Sequence, residues 1–200
     1  MKNKKAITSV EINQIIAERW SPRAFDNSKE VPMEKIIGMC EAARWAPSSS
    51  NSQSYRFIIC DKFVDNEAYQ KALACVNRSN MRWAPNVPVL VIILFENYSE
   101  SPDKPNYWSK FDAGLAAKNF TLQATDYGLH TRPFGGFDRE AIIQNFHIPE
   151  NFEPIAMVAV GYLGNPEILN ERDQESEAAE RTRKPLKNNF FISEWGKGIE

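Results

Sequence analysis

The chain has 200 residues, 42% of them apolar and 25% charged, with a formal net charge of -2 at pH 7. That is enough for one domain with a real core. The charge argues against a nucleic-acid binder that relies on a net basic surface. Cys40, Cys60 and Cys75 are widely spaced, and no CxxC or Cys/His metal spacing occurs, so reduced core thiols in a cytoplasmic protein without a metal site are expected. The N-terminal lysines are not followed by an apolar run, which speaks against a secretory signal. The longest apolar run, residues 87–95, is too short to cross a bilayer.

In chain order, Thr8-Ser9-Val10-Glu11 reads as a capping box opening a first helix. Ile12, Ile15, Ile16 and Trp20 form its apolar face, and Pro22 ends it. A second helix follows Val31-Pro32, with Met33, Ile36, Ile37, Cys40 and Ala43 as its stripe. Residues 55–60 read as a short buried strand and 65–76 as a helix with an acidic cap. Residues 87–95 form the clearest strand, with Pro85 and Pro88 only at its entrance.

Residues 96–108 lack periodicity and carry Pro102, Pro105, Tyr107 and Trp108, a long loop of the kind that often serves function. Ser109 to Asp112 reads as a second capping box, opening a helix to about Tyr127. Ala113, Ala116, Ala117, Phe120 and Ala124 share one face of it, small enough for another backbone to approach. Gly128 closes that helix. A short helix starts at Asp138, and residues 154–162 make the last strong strand. From residue 164 the composition turns polar, an arm with little to bury, yet Phe190, Phe191, Ile192 and Trp195 return at its end and need a cover. Helices and strands do not alternate regularly, so the class is α+β in a single domain, 1–200, with 164–200 as an extended arm.

Nucleophile-elbow, P-loop, HExxH and GxGxxG motifs are all missing, and His130 and His147 stand apart from any metal-spaced neighbour. Chemistry, if present, belongs to a bound cofactor. Four polar clusters remain: Arg19-Trp20-Ser21-Pro22-Arg23, Pro47 to Gln53, Pro133-Phe134-Gly135-Gly136-Phe137, and Arg181-Thr182-Arg183-Lys184-Pro185. Taken singly, each has a plainer reading as helix-end cations, linker, turn or exposed charge patch.

Taken in order they resemble the nitroreductase family. Arg-x-Ser-x-Arg is followed by Ala-Pro-Ser-Ser-x-Asn-x-Gln before a strand, then by Asn80-x-x-Trp83. Asp112-x-Gly114, Asn119, Gly128-Leu129, Gly-Gly-Phe-Asp at 135–138, Gly161-Tyr162 and Arg-x-Arg-Lys-Pro-Leu at 181–186 complete the series. Trp20, Pro22 and Ser54-Tyr55 depart from residues common in the family and bear on subfamily and substrate.

The resemblance implies an α+β sandwich, a mixed central sheet flanked by helices, and a C-terminal arm exchanged in a homodimer with FMN at the interface. By motif, Arg19, Arg181 and Arg183 would hold the FMN phosphate, and Ser21 would reach the ribityl or phosphate region. Arg23 would face the N1 and C2 edge of the ring and Asn80 its pyrimidine edge. Backbone N–H of Gly135 or Gly136 would face N5, while Ser48, Ser49, Asn51 and Gln53 would contact the FMN held mainly by the other subunit. Tyr107, Trp108 and Phe134 are pocket candidates, with core packing the alternative for Phe134.

No side chain need act as catalyst: NADPH or NADH would pass hydride to flavin N5, and an electron-poor acceptor such as a nitroaromatic or quinone would then enter. Enone reduction, dehalogenation and a non-catalytic FMN-binding or dimeric interaction protein are the alternatives. The short span between the strands at 55 and 87 disfavours the dehalogenating branch.

Overall fold

Strand β2 (Val89–Glu96) lies at the centre of the molecule, and its sequence explains why. Seven successive residues from Val89 to Phe95 are buried, because both faces of the strand are covered. Leu90, Ile92 and Leu94 enter one apolar cluster, while Val89, Val91, Ile93 and Phe95 enter another. This is the period-two alternation of a strand in a two-sided core.

The computed structural model describes residues 4–98 and 101–199. The first three residues of the N-terminal basic segment and residues 99–100 of the 96–108 loop lie outside the described residues.

β2 pairs with β1 (Tyr55–Asp61) on one side and with β4 (Phe152–Gly161) on the other. β3 (His130–Phe134) adds to β4, giving the order β1-β2-β4-β3. All three pairings are antiparallel. The α+β class holds, but no parallel pair exists among these four strands, so the expected mixed character of the sheet is not found within the described chain. The ladder between β2 and β4 slips at Ile93/Leu94, where Leu94 faces Pro154. A bulge is the place where a strand tolerates a residue without an N–H. β3 is not among the expected strands, and Pro133 lies within it. It is an edge strand with Pro133 exposed, and there a missing donor costs nothing.

One face of the sheet carries α2 (Met33–Arg44) and α4 (Ser109–Asp126). Ala113, Ala116 and Ala124 are buried there, and Asn119 Nδ2 donates to Ala42 O at 3.0 Å. The small-residue face thus meets another helix, as expected. The opposite face carries α3 (Asn66–Ala74), α5 (Arg139–Asn145) and the fully buried Trp83. Asp65 and Asp138 accept hydrogen bonds from Ala68 N and Ala141 N, both at 3.0 Å, the N-caps that both sequences announce. Gly128, at φ +71°, ends α4 in the left-handed region.

Both expected capping boxes fail. The first helix, α1, spans only Gln14–Glu18 and is capped by Asn13, whose Oδ1 accepts from Ile15 N at 3.0 Å. Ile12 and Ile16 are exposed, Ile15 and Trp20 are half-buried and only Ala17 of α1 is buried, so its apolar face is covered only in part by the described residues. On α2, Met33 and Ile37 are likewise exposed, and Met39 is buried with Ile36 and Ala43. At the start of α4, Ser109 Oγ donates to Asn106 O at 2.8 Å, and Asp112 Oδ2 accepts from Ser49 N at 3.1 Å. The Asp112 carboxylate is spent on a distant loop rather than on its own helix end.

The arm is less simple than its composition implies. It contains α6 (Glu171–Ala178), whose Asp173 and Glu177 are 1% and 6% exposed, so it does bury something: carboxylates. Beyond residue 185 it curls on itself, with Ile199 N donating to Phe190 O at 3.0 Å, and Trp195 stands 91% exposed.

Candidate functional site

The chain turns sharply after α1, and this puts Arg19, Ser21 and Arg23 on one wall of a cleft of about 200 Å³. Arg181 and Arg183, together with Glu177 and Glu180, form the other wall. Five of the sequence-selected residues, separated by some 160 positions, therefore meet.

Arg19 Nη1 donates to Ser21 Oγ at 3.2 Å. Burial, followed by the neighbouring Arg181 and Arg183, holds the Arg19 guanidinium below its ordinary pKa. Burial, and then Arg183, does the same to Arg181. Arg181 Nη1 is anchored on Lys4 O and on Ala17 O, at 2.5 and 2.9 Å. The fold thus gathers cations against their own repulsion.

A third residue group adjoins that wall. Arg132, on β3, donates from Nη1 to Ser21 O at 2.8 Å and lies over the Trp83 ring at 5.2 Å. Burial, with Arg23 beside it, lowers its pKa to about 10, against the opposing pull of Glu177 and Asp173. Its Nε has no partner and is buried. Phe134 packs edge-on against the same Trp83 at 5.2 Å and is buried in the core beside it.

Asn80 and Gly136 are also brought together. Asn80 Nδ2 donates to Gly136 O at 3.2 Å. A Cβ on Gly136 would stand 2.5 Å from that amide nitrogen and 2.6 Å from Asn77 Nδ2. Glycine is required here by close approach, and a larger residue would push the Asn80 amide away. Gly135 is exposed, with nothing within 4 Å of an added Cβ.

Ser48, Ser49, Asn51 and Gln53 do not line the arginine cleft. They form a separate loop tied down by Asp112 at Ser49 N, by Ser48 Oγ accepting from Gln53 N at 3.1 Å, and by Gln53 Nε2 donating to Asn51 O at 3.0 Å. Ser50, Asn51 and Gln53 all have positive φ, at 51°, 55° and 49°. For L-residues other than Asn this conformation costs roughly 1–2 kcal/mol each, and such strain clusters at active sites and ligand clamps. Tyr107 and Trp108 are exposed just before α4, and Trp108 lies edge-on to Phe111 at 6.4 Å.

The sequence reading passed over Arg82, Arg132, Asp173 and Glu177. For Asp173 and Glu177 the only sequence signal was two acids one helical turn apart, which does not stand out in a chain with 26 acidic residues.

The donor set fits an FMN phosphate: the guanidiniums of Arg19, Arg181 and Arg183 and the Ser21 hydroxyl line one cleft, and the orphaned buried Nε of Arg132 lies nearby. Among the described residues, no group of three His, Cys, Asp or Glu side chains is placed to hold a metal, and no helix is long and apolar enough to cross a membrane.

Comparison with known proteins gives the family of the chain. The family model described as "Nitroreductase family" matches residues 16–162. A solved structure of an oxidoreductase containing FMN is 31% identical, covers 98% of this chain and 98% of its own, and superposes with a TM-score of 0.89. YdgI of Bacillus subtilis strain 168, provisionally named an NAD(P)H nitroreductase, is 23% identical over 78% of this chain and 90% of its own length. The enone reductase of CLA biosynthesis from Lactiplantibacillus plantarum is 21% identical over 78% of this chain and 88% of its own. The chain belongs to the nitroreductase family.

Proposed function

We propose that the protein is an FMN-dependent oxidoreductase of the reducing cytoplasm, where its three free thiols persist. It takes its electrons from NADH or NADPH, delivers them to an electron-poor small molecule such as a nitroaromatic or quinone, and works as a homodimer. The observation that carries this reading is the convergence of Arg19, Arg181 and Arg183 at mutual electrostatic cost. A phosphate monoester, carrying roughly -1.5 to -2 at neutral pH, relieves that repulsion.

In this reading Arg19, Arg181 and Arg183 hold the phosphate, and Ser21 takes the adjoining ribityl or phosphate oxygens. Arg23 and Asn80 orient the pyrimidine edge, and the N–H groups of Gly135 and Gly136 face N5. When bound, the flavin supplies hydride transfer at N5, taking from the nicotinamide and giving to the acceptor in turn. The chain's own residues bind, orient and set the local charge, and no side chain acts as nucleophile.

The strained loop carrying Ser48, Ser49, Asn51 and Gln53 lies outside the cleft, which suits a contact made to the cofactor held mainly by the other subunit. Exposed apolar residues on both chain ends support the dimer. Ile7, Val10 and Ile12 line a groove of about 1180 Å³ with Leu186, Phe190 and Ile199. Tyr107 and Trp108, exposed at the α4 entrance, are the candidates to line the acceptor pocket.

The acceptor class has a second reading, because one relative is an enone reductase. The test is a visible spectrum and released-cofactor assay, followed by NADH and NADPH oxidation with a nitroaromatic, a quinone and an enone. Turnover of the first two is expected. Turnover of the enone alone selects the second reading, and a protein that holds no flavin overturns both.

A further inference from the structure

Helix α6 lines the cleft with Glu177 and carries a second buried carboxylate, Asp173, and the flavin reading uses neither. Asp173 is 1% exposed and divides its oxygens. Oδ1 lies 3.3 Å from Arg23 Nε and 3.4 Å from Arg82 Nη2. Oδ2 accepts from Asn170 Nδ2 at 2.8 Å, and Asn170 Oδ1 accepts from Asp173 N at 3.0 Å, so the cap of α6 holds the carboxylate in place. One turn later, Glu177 Oε1 accepts from the backbone N–H of Arg23 and, at 2.9 Å, from that of Ala24. Arg132 fixes the same segment from below through Ser21 O. Residues 21–24 are therefore held from two sides.

Arg23 meets Asp173 through its Nε edge, an ion-pair contact at 3.3 Å. The side chain lines the cleft. An arginine drawn toward a carboxylate at its Nε edge can turn its two NH₂ groups to a ligand, and the ion pair narrows the directions a long side chain otherwise samples. Stability alone is a poor reason for the arrangement, because well-packed apolar residues commonly serve a buried site as well as an ion pair does.

We propose that Asp173 is a positioning residue for Arg23. It fixes the direction of the guanidinium and offsets part of its charge, so that the C-terminal arm sets the reduction potential of the flavin. The proposal rests on the cofactor reading above, in which Arg23 faces the pyrimidine edge. Reduction makes that edge more negative, so a cation there stabilises the reduced ring more than the oxidised one. Weakening that cation's charge lowers the potential, and restoring it raises the potential.

Two substitutions separate the two roles. Asp173→Asn keeps an oxygen for Arg23 Nε and removes the charge. The flavin midpoint potential should rise, by about tenfold in the reduction equilibrium, which is ~30 mV for a two-electron couple. Asp173→Leu removes the acceptor as well, and the potential should fall toward that of Arg23→Met. Both shifts should shrink to under a third when made in the Arg23→Met background.

Unfolding of the flavin-free chains gives a second reading. The losses from Arg23→Met and Asp173→Asn should be non-additive, as they are for residues in one network. Additive losses overturn the clamp. Equal potential shifts with and without Arg23, FMN being bound, also overturn the proposal and leave the cofactor reading intact. A wild-type chain that binds no FMN overturns the cofactor reading and, with its premise, the proposal.

Discussion

The sheet and the arm are built by opposite means. In β2 every side chain from Val89 to Phe95 is apolar and buried, and two apolar clusters close over it. In α6 the buried residues are Asp173 and Glu177, and what they meet is arginine and backbone N–H. Apolar burial is non-directional and stabilises whatever fits. A buried carboxylate tolerates only the geometry that satisfies it. The sheet is thus the element that makes the fold, and the arm is the element whose position carries information for the site. The tail then leaves Trp195 and Ile192 exposed, surface that the proposed dimer would cover.

That contrast predicts unequal responses to substitution. Trp83→Ala removes the partner of both Phe134 and Arg132 and opens the core beside the sheet. It should cost about 3–5 kcal/mol in a denaturant titration. A loss under ~1 kcal/mol would place Trp83 outside the cooperative core. Trp195→Ala should barely change the stability of one subunit, within about 0.5 kcal/mol. It should instead raise the dimer dissociation constant by on the order of tenfold or more, as an aromatic anchor does. Sedimentation over a dilution series reads this, and an unchanged dimer would remove the tail from the interface.

The smallest effect concerns His130. Its ring is buried against Trp20, Nδ1 has no partner, and burial lowers its pKa below the ordinary value. The unfolded chain therefore binds a proton more readily than the folded one. Stability is fully present above ~6.5, where imidazole is neutral in both states, and falls as pH drops through the lowered folded value. Unfolding free energies at pH 8 and pH 5 should differ less in His130→Gln than in the parent. An equal difference would assign the pH dependence to other groups.

The sequence was most legible where one physical rule acted alone. The apolar run of β2, the Asp65 and Asp138 caps, the alanine face of α4 and the Gly128 stop each obey a local rule, and all appear in place. It misled where a side chain had a distant partner. Thr8-to-Glu11 and Ser109-to-Asp112 fit a capping box by spacing, yet Asp112 reaches across to Ser49. β3 was hidden because Pro133 forbids a central strand and only the sheet order shows that it is an edge. α6 was hidden because its binding face is acidic, and no apolar periodicity marks such a face. Within the site, Arg19, Ser21, Arg23, Arg181 and Arg183 were found by motif and do converge. Arg132, Asp173 and Glu177 were missed, since a charge that is solvated and a charge that is buried look the same in sequence.

The claim that most needs testing is that the arginine cleft binds the phosphate of FMN. Apo protein should be titrated with FMN and with riboflavin, in the wild type and in Arg181→Ala and Arg183→Ala. The account predicts that FMN binds far more tightly than riboflavin to the wild type. Each substitution should weaken FMN by about 1.5–3 kcal/mol, the loss of one charged hydrogen bond, while riboflavin binding hardly changes. Equal affinity for the two flavins, or equal losses for both on substitution, would contradict it and show that the arm acts through folding rather than through the phosphate.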